Sequence, residues 1–243
     1  MRLTLVRNAT LVIEAAGLRL LVDPILDDAG ARPPIEDTAN DRRNPLVPLP
    51  VPADELVRGL DAVLVTHLHR DHFDGAAEEL LPRELPLLCQ PEDAEHLRGL
   101  GFTDVRPVEG VIRLGELEVS RTDGRHGTGE DAEELGPVSG LVLRAPGEPV
   151  LYIAGDTIWC DEVAAAIDEH RPDVAVVNAG AACFVDGDPI VMDANDVAQV
   201  AERVETVVAV HLEAINHCYE TRAEVRACVP SALVPEDGDT LEL

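Results

Sequence analysis

The chain has 243 residues, of which 46% are hydrophobic and 27% are charged, enough apolar material for one domain with a sizeable core. Its 47 acidic residues outnumber its 19 basic residues, all of them arginine, and give a formal net charge of -28 at pH 7. A field of this sign repels phosphate backbones and anionic lipid surfaces, so we expect no nucleic-acid partner and no membrane partner.

The longest apolar runs are too short to cross a bilayer, and the sequence does not open with a charged and then apolar leader. The five cysteines are widely spaced and form no CxxC pair, which is typical of reduced thiols. We therefore predict a cytoplasmic protein that acts on a small-molecule substrate, with association into a homo-oligomer left open.

The first third of the chain alternates short strands with one long irregular stretch. Runs of β-branched and aliphatic residues predict strands at Leu3–Val6, Thr10–Ile13, Leu18–Val22, Ala62–Val65 and Leu87–Cys89. Residues 27–52 interrupt this series, because they hold six of the 18 prolines and show little periodicity. Such a stretch inside a compact domain is typical of a binding loop, and we predict a proline-rich loop or lid here.

The remaining elements change from hairpins to strand–helix alternation. After a helix predicted at Pro91–Arg98, hairpins are predicted from Ile112–Leu114 with Leu117–Val119 and from Val138–Arg144 with Val150–Ala154. Alternating elements follow at Asp161–His170, Val174–Val177, Asp193–Arg203, Val207–Val210 and Thr221–Cys228. This order favours a single α+β domain, residues 1–243, in which two mixed β-sheets pack face to face with helices outside.

The most informative segment directly follows the strand predicted at 62–65. Within six positions it supplies four groups that can bind a metal ion, namely His67, His69, Asp71 and His72. Imidazole suits Zn²⁺, and mixed carboxylate–imidazole ligation suits Zn²⁺, Mn²⁺ or Fe. Three histidines in one loop would repel one another when protonated unless a metal kept them neutral. The spacing can direct His67 and His69 at one ion, and Asp71 and His72 at another.

Three further residues share one trait: His126, Asp156 and His211 each lie where an apolar strand gives way to a loop. Binding sites commonly gather at such strand ends. A carboxylate at a strand tip, as at Asp156, can bridge two ions. Taken alone, His126 could be an exposed loop histidine and Asp156 a helix N-cap, but their shared placement at strand ends makes all three candidates for the site.

The ordered set of these residues resembles the metallo-β-lactamase superfamily of metal-dependent hydrolases, from the strand end at 21–24 to His211. The segments 8–10 and 21–24 are most similar to the branch that holds ascorbate-phosphate lactonases and phospholipase D-type phosphodiesterases, although many of its members carry His where this chain has Asn8. The resemblance implies the metallo-β-lactamase fold, a four-layer αβ/βα sandwich, and a dinuclear metallohydrolase.

Carried over to this sequence, the resemblance implies two divalent metal ions, in the first place Zn²⁺, with Mn²⁺ or Fe as alternatives. His67, His69 and His126 would hold one ion and Asp71, His72 and His211 the other, with Asp156 and a water between them. Asp71 would also orient the attacking hydroxide as the catalytic residue. Asp23 would accept a hydrogen bond from a ligating histidine and fix its tautomer.

Two positions are predicted at the pocket. His217, six residues beyond His211, is interpreted either as an acid or substrate contact or as a packed histidine, and Asn178 is expected at the pocket rim. An anionic substrate would need local cations, which the chain offers at Arg32, Arg42, Arg43, Arg70 and Arg125.

The predicted function is hydrolysis of a small-molecule ester or lactone, or of a phosphodiester, by a metal-bound hydroxide. Two other classes remain open at this stage. One is an iron-dependent redox enzyme on the same fold, similar to a dioxygenase, and the other is a metal-binding member of the fold without catalysis. Metal analysis together with oxygen consumption would distinguish the redox enzyme from the hydrolase.

Overall fold

The structure is a computed structural model that describes residues 1–243. Its strands β1 to β13 are Arg2–Arg7, Thr10–Ala15, Leu18–Val22, Ala62–Leu64, Leu87–Cys89, Val105–Pro107, Ile112–Leu114, Leu117–Asp123, Ser139–Arg144, Leu151–Ile153, Val174–Asn178, Thr206–Val210 and Thr240–Glu242. Its helices α1 to α7 are Ala53–Leu56, Gly75–Leu80, Ala94–Gly99, Gly129–Leu135, Asp161–His170, Ala194–Ala201 and Arg222–Cys228. None of these helices combines the length and the apolarity needed to cross a membrane.

The strands form two sheets, one of seven strands in the order β13-β1-β2-β3-β4-β5-β6 and one of six in the order β12-β11-β10-β9-β8-β7. In the first sheet β1, β2 and β3 pair antiparallel, and β3 to β6 pair parallel. In the second sheet β7 to β10 pair antiparallel, and β10 to β12 pair parallel. Both sheets are therefore mixed, as the sequence predicts.

Side-chain alternation along the strands sorts the apolar residues into layers. In β3, Leu20 and Val22 join the core of 23 buried residues between the sheets, whereas Leu21 belongs to a second core. That second core lies between the first sheet and helices α2 and α3. A third core joins the other face of the second sheet to α5, α6 and α7. Since a strand presents alternate residues to opposite faces, each sheet is buried on both sides, and the four-layer sandwich is confirmed.

The differences from prediction include one strand and the first residues of two helices. Strand β13 was not predicted, because Thr240-Leu-Glu242 has only one apolar residue and owes its conformation to pairing with β1. The helix predicted from Asp193 begins at Ala194, since Asp193 is its N-cap and accepts a hydrogen bond from the Asp196 backbone. Thr221 likewise caps α7, in a capping box with Glu224.

The strand ends of the two sheets meet at one edge of the sandwich. The Asp23 backbone, just past β3, donates to Leu64 O (3.0 Å), and the His211 backbone, just past β12, donates to Asn8 O (3.0 Å) across the sheets. Asp23 and His211 both have left-handed backbone conformations, with φ of 42° and 62°. Such conformations are costly for residues other than glycine and commonly occur at functional sites.

Candidate metal centre

The structure brings the seven predicted ligands together at this edge. They form two groups, and within each group the potential ligand atoms all lie within 4.8 Å of one another. The first group, called here the histidine group, is His67, His69 and His126, and the second, called here the aspartate group, is Asp71, His72, Asp156 and His211. Of the seven, only His69 is not fully buried.

Asp156, three residues beyond the end of β10, belongs to the aspartate group and also approaches the histidine group. Its Oδ2 is 3.1 Å from His72 Nε2, 3.7 Å from His126 Nε2 and 4.0 Å from His67 Nε2. Its Oδ1 is 3.7 Å from His211 Nε2. One carboxylate therefore approaches histidines of both groups, which is the placement that bridging two ions would require; the bridging itself stays a prediction.

Several buried atoms in the centre have no hydrogen-bond partner in the protein. They are His67 Nε2, Asp71 Oδ2, His72 Nε2 and His211 Nε2. Buried polar atoms without a partner are costly and therefore rare, and a metal ion would satisfy their lone pairs. Nitrogen and carboxylate donors in this proportion suit Zn²⁺, Mn²⁺ or Fe, so the residues present fit the metals that the sequence predicts.

Two of the three histidines in the histidine group, His67 and His126, are neutral. Burial lowers the pKa of His67 well below its ordinary value, and the neighbouring rings of His72 and His69 lower it further. Burial also lowers the pKa of His126, against the charge of Asp156, which raises it. Neutral imidazole is the form that binds a metal, so this group is ready for a ligand at neutral pH.

The aspartate group pairs two carboxylates with two protonated histidines. Burial tends to raise the pKa of Asp156, but the charges of His72 and His211 outweigh it and hold that pKa well below the ordinary value. For His72 burial lowers the pKa, whereas the carboxylates of Asp156 and Asp23 more than compensate and raise it to about 10. In protein without a metal, the proton on His72 therefore balances the negative charge of these carboxylates, which a bound cation would otherwise do.

Each histidine of the centre has a second contact that fixes the orientation of its ring. In four of the five the contact atom is an oxygen, and in one it is a sulfur: His72 Nδ1 with Asp23 Oδ2 (2.9 Å), His126 Nδ1 with Ile190 O (2.8 Å), His67 Nδ1 with Thr66 Oγ1 (3.1 Å), His69 Nε2 with Leu135 O (3.1 Å) and His211 Nδ1 with Cys218 Sγ (3.3 Å). Such contacts leave the other ring nitrogen of each histidine free to face the centre.

Asp23 occupies the position that the resemblance implies for it. Besides contacting His72, its carboxylate accepts hydrogen bonds from Thr66 N and Thr66 Oγ1, both at 2.8 Å. Asn178 differs from expectation, since it is buried beneath the centre and not at the rim. Its Nδ2 donates to Asp156 Oδ1 at 2.6 Å, so it positions that carboxylate.

The expected cations are mostly engaged elsewhere. Arg125 pairs with Glu162 at 2.7 Å, Arg43 donates to the Gly30 and Ala31 carbonyls, and Arg42 contacts Asn40. Arg32 is 2.8 Å from Asp27 and also donates to Arg70 O. Of the five arginines, only Arg70 lines the cavity above the centre, and a contact of the other four with substrate stays a prediction.

That cavity has a volume of about 290 Å³ and a mainly apolar wall above a polar floor. His217 lines it, as one of the two interpretations requires, and its Nδ1 is buried without a hydrogen-bond partner. The apolar lining residues are Ile35, Leu68, Leu135, Phe184 and Ile190. A larger depression of about 440 Å³ between β8 and α5 contains none of the seven predicted ligands, so we assign the site to the smaller cavity.

Sequence reasoning missed four contributors to this site: Thr66, Ile190, Asn216 and Cys218. Thr66 directly precedes the histidine motif, and this position could have indicated that it contributes to the site. Ile190 acts through its backbone carbonyl, which carries no side-chain signal. Asn216 and Cys218 flank His217 in a segment without regular periodicity, and only the folded chain shows what they contact.

Comparison with known proteins agrees with this architecture. Residues 18–212 match the family model described as a beta-lactamase superfamily domain. The UPF0173 protein YddR of Bacillus subtilis is 37% identical, with 99% of this chain and 99% of YddR covered. The similarity therefore spans essentially the whole of both proteins.

Two crystal structures are similar over the full chain. The isothiocyanate hydrolase from Delia radicum gut bacteria is 36% identical with a TM-score of 0.94, covering 100% of this chain and 99% of that one. A possible metal-dependent hydrolase from Veillonella parvula DSM 2008 is 33% identical with a TM-score of 0.96 and the same coverage. The narrower likeness to the lactonase and phospholipase D-type branch stays a prediction. By sequence, fold and the convergence of its histidines and aspartates, this chain belongs to the beta-lactamase superfamily and, within it, to the UPF0173 proteins.

Proposed function

We propose that this chain is a metal-dependent hydrolase that holds one divalent ion in the histidine group and a second in the aspartate group. The observation that carries the proposal is the set of buried, unpartnered ligand atoms that face one another below the cavity. When bound, two such ions lower the pKa of water toward neutrality and polarise a substrate atom that carries developing negative charge.

The water must also be oriented toward the substrate, and we assign this role to Asp71. Asp71 Oδ2 is buried, has no hydrogen-bond partner and lies 3.4 Å from His211 Nε2, and Asp71 also lines the cavity. Burial tends to raise its pKa, but the close approach of His211 and the positive charge of His72 outweigh burial and hold that pKa well below the ordinary value. Asp71 thus remains a carboxylate that accepts a hydrogen bond from water and orients it toward the substrate.

The walls of the cavity favour a small substrate with an apolar group. The similarity to an isothiocyanate hydrolase over the full chain suggests isothiocyanates as the first class to examine. In that reaction water adds to the central carbon of R–N=C=S, the carbon–nitrogen bond breaks, and the products are the amine R–NH₂ and carbonyl sulfide. Carboxylic esters and lactones also present an electrophilic carbon and form the second part of the same proposal.

Phosphodiester cleavage is a second candidate, and one observation favours it. Arg70 is exposed and lines the cavity, where its guanidinium could receive a phosphate oxygen. The substitution Arg70→Ala separates the candidates. It should weaken cleavage of an anionic diester at least tenfold in kcat/KM and leave a neutral isothiocyanate or lactone nearly unaffected.

The test begins with protein purified without added metal, whose metal content is measured before and after chelation. Rates are then compared for ethyl isothiocyanate, a γ-lactone and bis(4-nitrophenyl) phosphate after separate addition of Zn²⁺, Mn²⁺ and Fe²⁺. Wild type is set against Asp71→Asn, with His96→Ala on the exposed face of α3 as control. We expect activity only with metal and a large loss in Asp71→Asn alone.

Equal rates for wild type and Asp71→Asn would remove the role assigned to that carboxylate. Turnover of none of the three substrates by fully loaded protein would contradict the substrate classes. Bound iron together with substrate-dependent oxygen consumption would instead support the redox alternative.

A further inference from the structure

Residues 27–52, called here the outer loop, form one wall of the cavity above the metal centre. The loop contains no helix or strand, and only one isolated bridge, between Arg32 and Asn44, crosses it. Ile35 is its contribution to the cavity. Ile35 also lines a second cavity of about 260 Å³, which shares Arg70 and Asp71 with the first. One aliphatic side chain thus stands between two adjoining spaces.

A single buried side chain fixes this part of the loop. Asn216 Oδ1 accepts a hydrogen bond from the Ile35 backbone N–H (3.0 Å), and Asn216 Nδ2 donates to Ile35 O (3.0 Å). The same amide also contacts Thr38 Oγ1 and Asn40 O, both at 2.7 Å, and Asn44 Nδ2 at 2.6 Å. Asn216 is fully buried, so each of these bonds replaces one to water.

Further contacts extend the attachment along the loop. The Leu46 backbone donates to Ala214 O (2.7 Å), and the Ala39 backbone donates to the Tyr219 hydroxyl (2.7 Å). Both partners lie in the segment 214–219, which follows His211 and also carries the cavity-lining His217. The loop, the pocket and a predicted ligand are therefore joined through one short stretch of chain.

We propose that Ile35 is the specificity-determining residue of the pocket, held as a fixed partition by Asn216. The proposal rests on the proposed function, since it concerns the substrate of that same site. With Ile35 in place, the substrate's organic group is confined to the first cavity, which selects short aliphatic groups. The outer loop then works as a wall with a set position and does not need to open and close as a lid during turnover.

Shortening Ile35 to alanine removes three carbon atoms from the partition and joins the two cavities. A longer chain could then extend toward Pro34 and Ile215 in the second cavity. One methylene group in an apolar pocket commonly changes specificity by about tenfold or more. We therefore expect Ile35→Ala to raise the ratio of kcat/KM for octyl over ethyl isothiocyanate by about tenfold, through KM more than through kcat.

The experiment measures kcat and KM for ethyl, butyl, hexyl and octyl isothiocyanates and for γ-lactones with matching side chains. Wild type, Ile35→Ala and Asn216→Ala are compared with Val51→Ala, which shortens an exposed apolar residue of the same loop outside both cavities. Hydrogen–deuterium exchange of residues 30–46 is followed in each variant. Faster exchange in Asn216→Ala alone is the expected result, together with weaker chain-length selection in both Ile35→Ala and Asn216→Ala.

The outcomes separate this proposal from the function on which it rests. No turnover of either series by metal-loaded wild type would contradict the proposed substrates, whereas unchanged exchange in Asn216→Ala would overturn the partition whatever the enzyme hydrolyses. Turnover with the same chain-length profile in wild type and Ile35→Ala would overturn only the specificity role. The more conservative Ile35→Val should keep most of the wild-type selection.

Discussion

The two halves of the metal centre differ in charge, although the same short motif begins both. The histidine group has three imidazoles and no carboxylate of its own, and burial keeps His67 and His126 neutral. The aspartate group has two buried carboxylates, and the pKa values of both its histidines are raised despite burial. The first group is thus preorganised as a neutral ligand set, whereas the second must exchange a proton for a cation.

This contrast makes Asp156 the residue on which both halves depend. The substitution Asp156→Asn keeps the shape but removes the charge that approaches histidines of both groups. We expect it to release metal from both groups and to lower kcat/KM by roughly 10³-fold, the scale of losing several kcal/mol of transition-state stabilisation. Metal content and rate measured together check this.

A matched control is Asp168→Asn, which alters a largely exposed carboxylate of α5 that pairs with Arg203. It should retain full metal content and rate. If Asp156→Asn retained two ions per chain, the central position of that carboxylate would not matter for binding.

Substitutions confined to one group should affect the two halves separately. Asp71→Asn removes charge from the aspartate group only, so we expect the loss of one metal equivalent and a fall of about 10²-fold or more in kcat, because the orienting carboxylate is also lost. His69→Ala removes a ligand from the histidine group and leaves both carboxylates. Loss of the same ion in both variants, identified by site-selective Co²⁺ spectra, would contradict the division into two groups.

The histidine motif and the strand-end residues could be predicted from sequence because each combines a chemical signal with a structural one. His67 to His72 crowd four possible ligands behind an apolar strand, and Asp156 and His211 each end such a strand. The two mixed sheets followed from hairpins and strand–helix alternation in the same way. Strand β13 could not be predicted, since its pairing with β1 joins residues about 240 positions apart.

The outer layer of the site escaped prediction for a different physical reason. Asn178 was expected at the rim, but the fold turns it inward to donate to Asp156. The sequence does not distinguish a free arginine from one held by Glu162, as Arg125 is. Asn216 acts through hydrogen bonds to residues more than 170 positions away. Such contacts depend on which distant segments the fold brings together.

The contact that orients one histidine of the aspartate group can be weakened while all four ligands of the group stay in place. Asp23 fixes the His72 ring at 2.9 Å and contributes negative charge that raises its pKa. Asp23→Asn should therefore lower the metal affinity of this group by about 10- to 100-fold, the usual cost of losing such a partner. Competition with a chromophoric chelator measures the effect, and Asp28→Asn on the exposed part of the outer loop is the control. An unchanged affinity would mean that packing alone suffices to hold the His72 ring.

The smallest expected effect is also the most direct test of the contrast in charge. In metal-free protein His72 has a pKa of about 10 and the pKa of His211 is raised well above its ordinary value, so from pH 7 to 9 a cation must displace the proton of His72 and, while it is still charged, that of His211, and affinity should rise by at least about tenfold per pH unit. His126 has a lowered pKa and is already neutral above pH 6.5, so affinity at the histidine group should be nearly flat there.

The stability of the metal-free protein shows the opposite dependence on pH. A raised pKa in the folded state stabilises metal-free protein below pH 6.5, and this contribution is lost as the pH rises toward about 10. Calorimetric titration of metal into wild type and into His72→Gln, whose glutamine cannot titrate, measures the affinities, and thermal unfolding of both metal-free proteins measures the stability. Equal pH slopes for the two ions would mean that the histidines of the two halves do not differ in protonation, and the asymmetry inferred from the buried carboxylates would fail.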